Sequence, residues 1–210
     1  MKQDLNQQPT VTIGRPRAFH REEALKVAML TFWQHGYETT SMSLLSKKMK
    51  MSAPSIYATF GDKKGLFLEA LDLYVGDLND MKMFLDQSTS AFEGASQLLK
   101  MSAYRFTDNS NPCGCMLASS AASGSSDSKD VQKITGQFRE KIENLIQHRI
   151  EQDIKKGRLA KSTSAEALAT LTVATIQGMS VLARDGASRK KLIQLAETAM
   201  RAWGSKGFVF

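Results

Sequence analysis

The sequence predicts an all-α protein of about nine helices. Three observations carry that prediction. From residue 20 onward, apolar residues recur at i, i+3, i+4 and i+7 over most of the chain. No run of alternating β-branched residues is long enough for a sheet. Glycine, proline and asparagine breaks separate the periodic stretches. The 210 residues are 42% hydrophobic and 23% charged, enough apolar content for a core and too much for a disordered chain at a net charge of +7. Two cysteines cannot make a disulfide scaffold. No stretch reaches about 18 uncharged apolar residues, and the first residues lack an apolar signal core. The expectation is a cytoplasmic protein without a membrane partner, its thiols reduced.

Residues 1–18 are polar and aperiodic, with Pro9 and Pro16, and read as a flexible basic arm. Leu25, Ala28, Met29 and Phe32 form one apolar stripe on a first helix closed by Gly36. Met42, Leu45, Ser46 and Met49 repeat the spacing in a shorter helix, with Thr40 or Ser41 as its cap. Ser52 then caps a very short third helix, because Pro54 is tolerated only in a first turn. Asp62 caps a fourth helix expected to run from Lys63 to about Leu85. Residues 89–107 make a fifth, ended by Asn109 to Pro112. A short apolar helix over 114–122 precedes a Gly/Ser loop at 123–127. Helices follow over 128–156, 164–185 and 188–203, stopped by Gly157, Gly186 and Gly204. There is no internal repeat of fixed period.

The two short helices within 42–60, tightly linked at Met49 to Ser52, form a helix-turn-helix pattern. Ile56 and Phe60 mark the inner face of the second. Ser55, Ala58, Thr59 and the Tyr57 hydroxyl mark an outer face of small polar groups, as a helix entering a major groove requires. Thr40 and Ser41 near a helix N-terminus suit phosphate oxygens, and Lys63 adds a charge. Any two short helices can imitate this pattern. Charge adds a second pointer: residues 1–65 sum to +5, 66–130 to −5 and 131–210 to +7.

The run from Ala24-Leu25 through Ala28, Phe32, Gly36-Tyr37-Glu38-Thr39-Thr40-Ser41-Met42 to Ser52-Ala53-Pro54-Ser55-Ile56-Tyr57-Ala58-Thr59-Phe60-Gly61-Asp62-Lys63-Lys64-Gly65-Leu66-Phe67 resembles the N-terminal domain of the TetR/AcrR family of bacterial transcriptional regulators. The resemblance implies a DNA-binding domain over 19–66, with Arg15, Arg17, Thr40, Ser41, Ser52, Ala53, Pro54, Ser55, Tyr57, Thr59 and Lys63 as candidate DNA contacts. Three departures matter. Lys50 stands where the family usually has glycine, so a positive φ there would cost roughly 1 kcal/mol. His20 replaces a common aspartate cap, leaving Glu23 a partial capping-box role. Pro54 replaces a common glycine or lysine, so the family does not supply the operator. Ile13 to Arg17 precedes the first helix. Arg15 and Arg17 suit either insertion into an A·T-rich minor groove or salt-sensitive phosphate contacts.

The resemblance further implies a helical ligand-binding and dimerisation domain over 67–204, with 205–210 as a tail. Gly114-Cys115-Met116-Leu117-Ala118 with Ala121-Ala122 is similar to a segment in one branch of the family. Small and apolar residues on the last two helices, among them Leu168, Thr172, Thr175, Ile176, Leu192, Leu195 and Ala199, suit either a four-helix homodimer interface or a closed monomer core. Large residues scattered over the middle helices, Phe84, Met101, Tyr104, Met116, Phe138 and Met179, are candidates to line a ligand site, or plain core. Cys113 and Cys115 could hold a soft metal or sense oxidation, though a buried structural role is more usual.

The leading expectation is a ligand-responsive repressor binding a palindromic operator in double-stranded DNA as a homodimer and released by a small-molecule effector. A cysteine-based redox or soft-metal sensing repressor is the alternative. An architectural DNA protein would bind random duplex with little discrimination. No metal-ligand set, phosphate loop or nucleophile elbow supports an enzyme, and no cofactor is expected.

Overall fold

The computed structural model describes residues 17–119 and 128–203, with side chains from residue 20. Among these residues there are nine helices of eight residues or more, one four-residue helical turn and no strand. In order they are α1 (Arg17–His35), α2 (Met42–Met49), α3 (Ala53–Phe60), α4 (Lys63–Val75), α5 (Leu78–Gln87), α6 (Ala91–Phe106), the turn α7 (Met116–Ser119), α8 (Lys129–Lys155), α9 (Ala165–Arg184) and α10 (Arg189–Arg201).

Hydroxyl and carboxylate caps set most of the starts. Ser41, Ser52, Asp62, Asp77, Ser90, Ser164 and Ser188 each accept a backbone N–H from the first turn of the helix that follows. Three boundaries differ from the sequence expectation. The first helix begins at Arg17, inside the segment expected to be a flexible arm. The short helix expected from residue 114 begins at Met116, because Gly114 takes φ 78°. The single helix expected from Lys63 to Leu85 is two, because Gly76 takes φ 72° and Asp77 caps a new start. An apolar pattern that continues through such a break conceals it.

α1 packs on α4 and α2, and α3 closes on both α2 and α4. Ala28, Phe32, Leu45, Ile56, Leu66 and Phe67 are at most 1% exposed and form the centre of this small unit. The Phe32 and Phe67 rings meet edge-on at 5.2 Å, and Tyr37 closes on Phe67 at 5.0 Å. The same core continues into the second part, where α9 packs against α6, α8 and α10. By length and composition α9 alone among the described helices is long and apolar enough to cross a membrane; here it is a central packing helix.

A buried ion pair fixes the corner between α5 and α6 onto α8. The Arg149 guanidinium reaches the Asp153 carboxylate and donates to the carbonyls of Leu85 at 2.8 Å and Ser88 at 3.0 Å. Asp153 accepts the Ala91 amide at 2.7 Å. Burial pushes the Asp153 carboxyl upward, but the Ala91 amide and the Arg149 charge together hold it below the usual carboxylate range.

Candidate nucleic-acid interface and interior cavity

The link between α2 and α3 fixes the outward-facing surface. Lys50 adopts φ 53°, ψ 38°, as its place in the turn requires, and is the one non-glycine positive φ among the described residues. The Met51 amide donates to the Ser46 carbonyl at 3.2 Å, and the Ser46 hydroxyl donates to the Met51 carbonyl. Ile56 and Phe60 then plug α3 into the core at 1% and 5% exposure. With that face fixed, Ser52, Pro54, Ser55, Tyr57, Ala58 and Thr59 are exposed and Ala53 is half-buried.

The hydroxyls on this face are partly committed. Ser52 accepts the Ser55 amide at 3.2 Å and shares a hydrogen bond with the Ser55 hydroxyl at 2.7 Å. The Thr59 hydroxyl donates to the Ser55 carbonyl at 2.7 Å, leaving its methyl group and an acceptor lone pair outward. Tyr57 is 48% exposed. The aromatic residue that anchors α3 is Phe60, which lies under the Arg21 guanidinium at 4.7 Å.

Thr40 corrects an expectation. It is fully buried, and its hydroxyl donates to the Gly36 carbonyl at 2.6 Å, so it cannot meet a phosphate. Ser41 remains exposed, capping α2 through the Leu44 amide at 3.1 Å. Ser43, exposed in the first turn of α2 and 2.9 Å from the Ser41 hydroxyl, adds a polar group that sequence reasoning passed over. Its only signal was a small hydroxyl residue just inside a helix start. Lys63 lies over the Tyr37 ring at 4.5 Å and donates to the Glu38 carbonyl at 3.3 Å. Burial lowers its pKa, opposed by the Glu38 charge. Arg15 lies outside the described residues, and Arg17 enters only as the first residue of α1.

The second feature is a cavity of about 270 Å3 among α4, α5, α6, α8 and α9. Val75, Leu78, Leu98, Ile142 and Val173 supply apolar wall, with Tyr74, Arg105, Arg139 and Gln177 as polar groups. Of the six expected ligand residues only Met101 lines it. Met116 and Met179 are fully buried core. Tyr104 is 53% exposed, beside the Arg189 guanidinium at 4.7 Å, and Phe138 lies 5.3 Å from the Lys141 ammonium. Phe84 packs half-buried on the core. Helical spacing shows that a residue points inward, not whether it meets a neighbour or an empty space.

The cavity wall is tied to the helix-turn-helix unit. Cys115 and Leu117 line the cavity. One residue before Cys115, the Gly114 carbonyl accepts the Trp33 indole N–H of α1 at 2.9 Å. Gly114 has φ 78°, and a Cβ there would stand 2.8 Å from the Ser180 carbonyl, so only glycine fits. The Cys115 amide donates to the Ser180 hydroxyl at 2.7 Å, and Arg184 donates to the Trp33 carbonyl at 2.6 Å. Cys113 is exposed while Cys115 is buried, so the two sulfurs occupy different environments.

The expected dimer residues divide. Thr172 and Leu192 are at most 1% exposed within one chain and cannot face a partner. Ile176 belongs to the cavity wall. Leu168, Thr175, Leu195 and Ala199 are half-buried. The exposed stripe on α9 runs instead through Ala167, Thr170, Ala174, Gly178 and Val181.

Comparison with known proteins fits this geometry. A family model described as bacterial regulatory proteins, tetR family, matches residues 24–70. A second, described as the C-terminal domain of LmrA/YxaF-like transcriptional regulators, matches residues 91–198. The chain is 34% identical to the HTH-type transcriptional repressor ComR of Escherichia coli K12, covering 90% of this chain and 91% of ComR. It is 28% identical to the E. coli K12 repressor BdcR, with the same two coverages of 90% and 91%. Among solved structures, a triple cysteine mutant of the TetR family regulator CifR, complexed with 26-bp double-stranded operator DNA, superimposes with a TM-score of 0.84. That match has 39% identity and covers 90% of this chain and all of the CifR chain. The helix-turn-helix, the cavity-bearing helical domain and these matches together place the chain in the tetR family of bacterial regulatory proteins.

Proposed function

We propose that this protein is a cytoplasmic transcriptional repressor, not an enzyme, which binds an approximately palindromic operator as a homodimer and is released by a small molecule entering the cavity. The connection between cavity and DNA-facing unit carries this reading. A molecule that displaces Cys115 or Leu117 moves Gly114, and Gly114 holds Trp33 near the end of α1. The operator complex of CifR supports the DNA half of the proposal. On this reading Ser52, Ala53, Pro54, Ser55 and Thr59 face bases, while Ser41, Tyr57 and Lys63 meet phosphates. Binding sites selected from random duplexes test it. The expected product is an inverted repeat bound at least about a thousandfold more tightly than random DNA at physiological salt. Recovery of no common sequence would point to an architectural DNA protein.

A second reading rests on Cys115, whose thiol lines the cavity beside Tyr74 and Arg139. A reactive effector would then act on this sulfur. The different settings of Cys113 and Cys115 count against a shared soft metal. A gel-shift titration with peroxide or Cu(I) separates the readings. Release of the wild type but not of a Cys113→Ser/Cys115→Ser variant favours the thiol.

A further inference from the structure

The cavity wall carries an unbalanced charge. Arg139 and Arg105 both line it, and no aspartate or glutamate does. Arg139 spends one N–H on the Leu117 carbonyl at 3.1 Å, from a group with five N–H donors. Arg139 is half-buried, and this partial burial lowers its pKa. Arg105 sits 4.2 Å over the Tyr74 ring and donates to the Tyr74 carbonyl at 3.1 Å. Neither arginine has a carboxylate partner among the described residues. The remaining wall is chiefly aliphatic.

We propose that the cavity takes a small apolar carboxylic acid as its monoanion, the carboxylate set against Arg139 with Arg105 on the same wall, and the hydrocarbon against Val75, Leu98, Ile142 and Val173. This rests on the ligand-release reading above and names its effector class. A planar carboxylate matches the guanidinium fork and supplies the missing charge. About 270 Å3 lies just below the range of drug-sized pockets, which selects one ring or a short branched chain. A phosphate monoester is the poorer fit, because its second charge would have to leave water for a wall that is apolar away from the two arginines.

Calorimetry on the full chain tests this with phenylacetate, benzoate and isovalerate, each against its amide, and with phenethylamine and phenyl phosphate. At least one acid is expected to bind about tenfold or more tightly than its amide, the worth of a charge-assisted hydrogen bond. Arg139→Gln should bring acid and amide within about threefold of each other, and Arg139→Lys should retain part of the difference. The comparison on the unaltered protein decides the matter even where a variant fails to fold. The proposal is overturned if no acid exceeds its amide, if the amine or phenyl phosphate binds more tightly, or if Arg139→Gln keeps the full selectivity. Operator release is read in parallel. A selectively bound acid that leaves the operator complex intact sinks the release reading and not this one. A neutral compound that releases the operator where no acid binds does the reverse.

Discussion

Lys50 holds a backbone conformation that L-residues avoid, and the turn holds it there through the two Ser46–Met51 hydrogen bonds. Lys50→Gly should therefore stabilise the fold by about 0.5–1 kcal/mol, the relief of strain less the added freedom of the unfolded chain. Urea unfolding at an unchanged slope would show it, and a destabilised variant would mean the lysine side chain holds the turn. This strain was legible only through the family resemblance, in which glycine usually stands at that place. The burial of Thr40 was not, because a threonine just before a cap can face the core or the solvent with the same local pattern. Tyr57 and Ser55 share an exposed face but differ in reach. Tyr57→Phe should weaken operator and random DNA alike by about 1 kcal/mol, one phosphate hydrogen bond. Ser55→Ala should instead change sequence preference among selected sites. The opposite pattern would mean that α3 presents its other edge to the groove.

Between elements, two joints govern how the helices are held. The Arg149–Asp153 pair locks the α5–α6 corner to α8. The Asp153 pKa is lowered in the fold, so its stabilisation is complete above the unfolded carboxylate value of about 3.9 and disappears as pH falls through the lower folded value. Asp153→Asn strands the buried guanidinium and should cost about 3–5 kcal/mol at neutral pH. Its loss of stability between neutral pH and pH 3 should also be shallower than the wild type's, as urea midpoints would show. The second joint is the Trp33–Gly114 hydrogen bond. Trp33→Phe keeps most of the packing but leaves the Gly114 carbonyl without its indole donor. Operator affinity without effector should change little, while effector-driven release should weaken at least about fivefold, the lower end of typical coupling. Equal release by wild type and variant would remove this joint from the coupling path. Element positions were legible from caps at Ser41, Ser52 and Asp62 and, for the last helices, from apolar spacing and the glycine stops at Gly157 and Gly186. These joints were not, since Trp33 and Gly114 lie 81 residues apart and no local pattern links them. The cavity was hidden for a related reason. It is defined by where five helices fail to touch, and side-chain spacing on any one of them carries no record of that.

For the molecule as a whole, the proposed repressor reading needs two copies on one duplex, because one α3 per chain offers little surface for tight, specific binding. On that reading their separation would match half-sites one helical turn apart, about 34–36 Å. The face available for pairing is the small-residue stripe Ala167, Thr170, Ala174, Gly178 and Val181 on α9, with Val181 56% exposed. Alanine and glycine there allow close helix approach, which a charged side chain would prevent. Ala174→Glu lies on this exposed face, so the single chain should fold as before. Paired with a second copy, the carboxylate would be buried without a partner, at a cost of several kcal/mol. Sedimentation should then show a monomer, and operator affinity should fall toward the level of random DNA while thermal unfolding shifts little beyond the loss of dimer contacts. Thr172→Glu makes the contrasting variant, because Thr172 is 1% exposed within its own chain and the change should unfold the protomer itself. A monomeric Ala174→Glu protein that still held one operator with wild-type affinity would refute the two-copy mechanism. A dimeric one would move the interface off this stripe of α9.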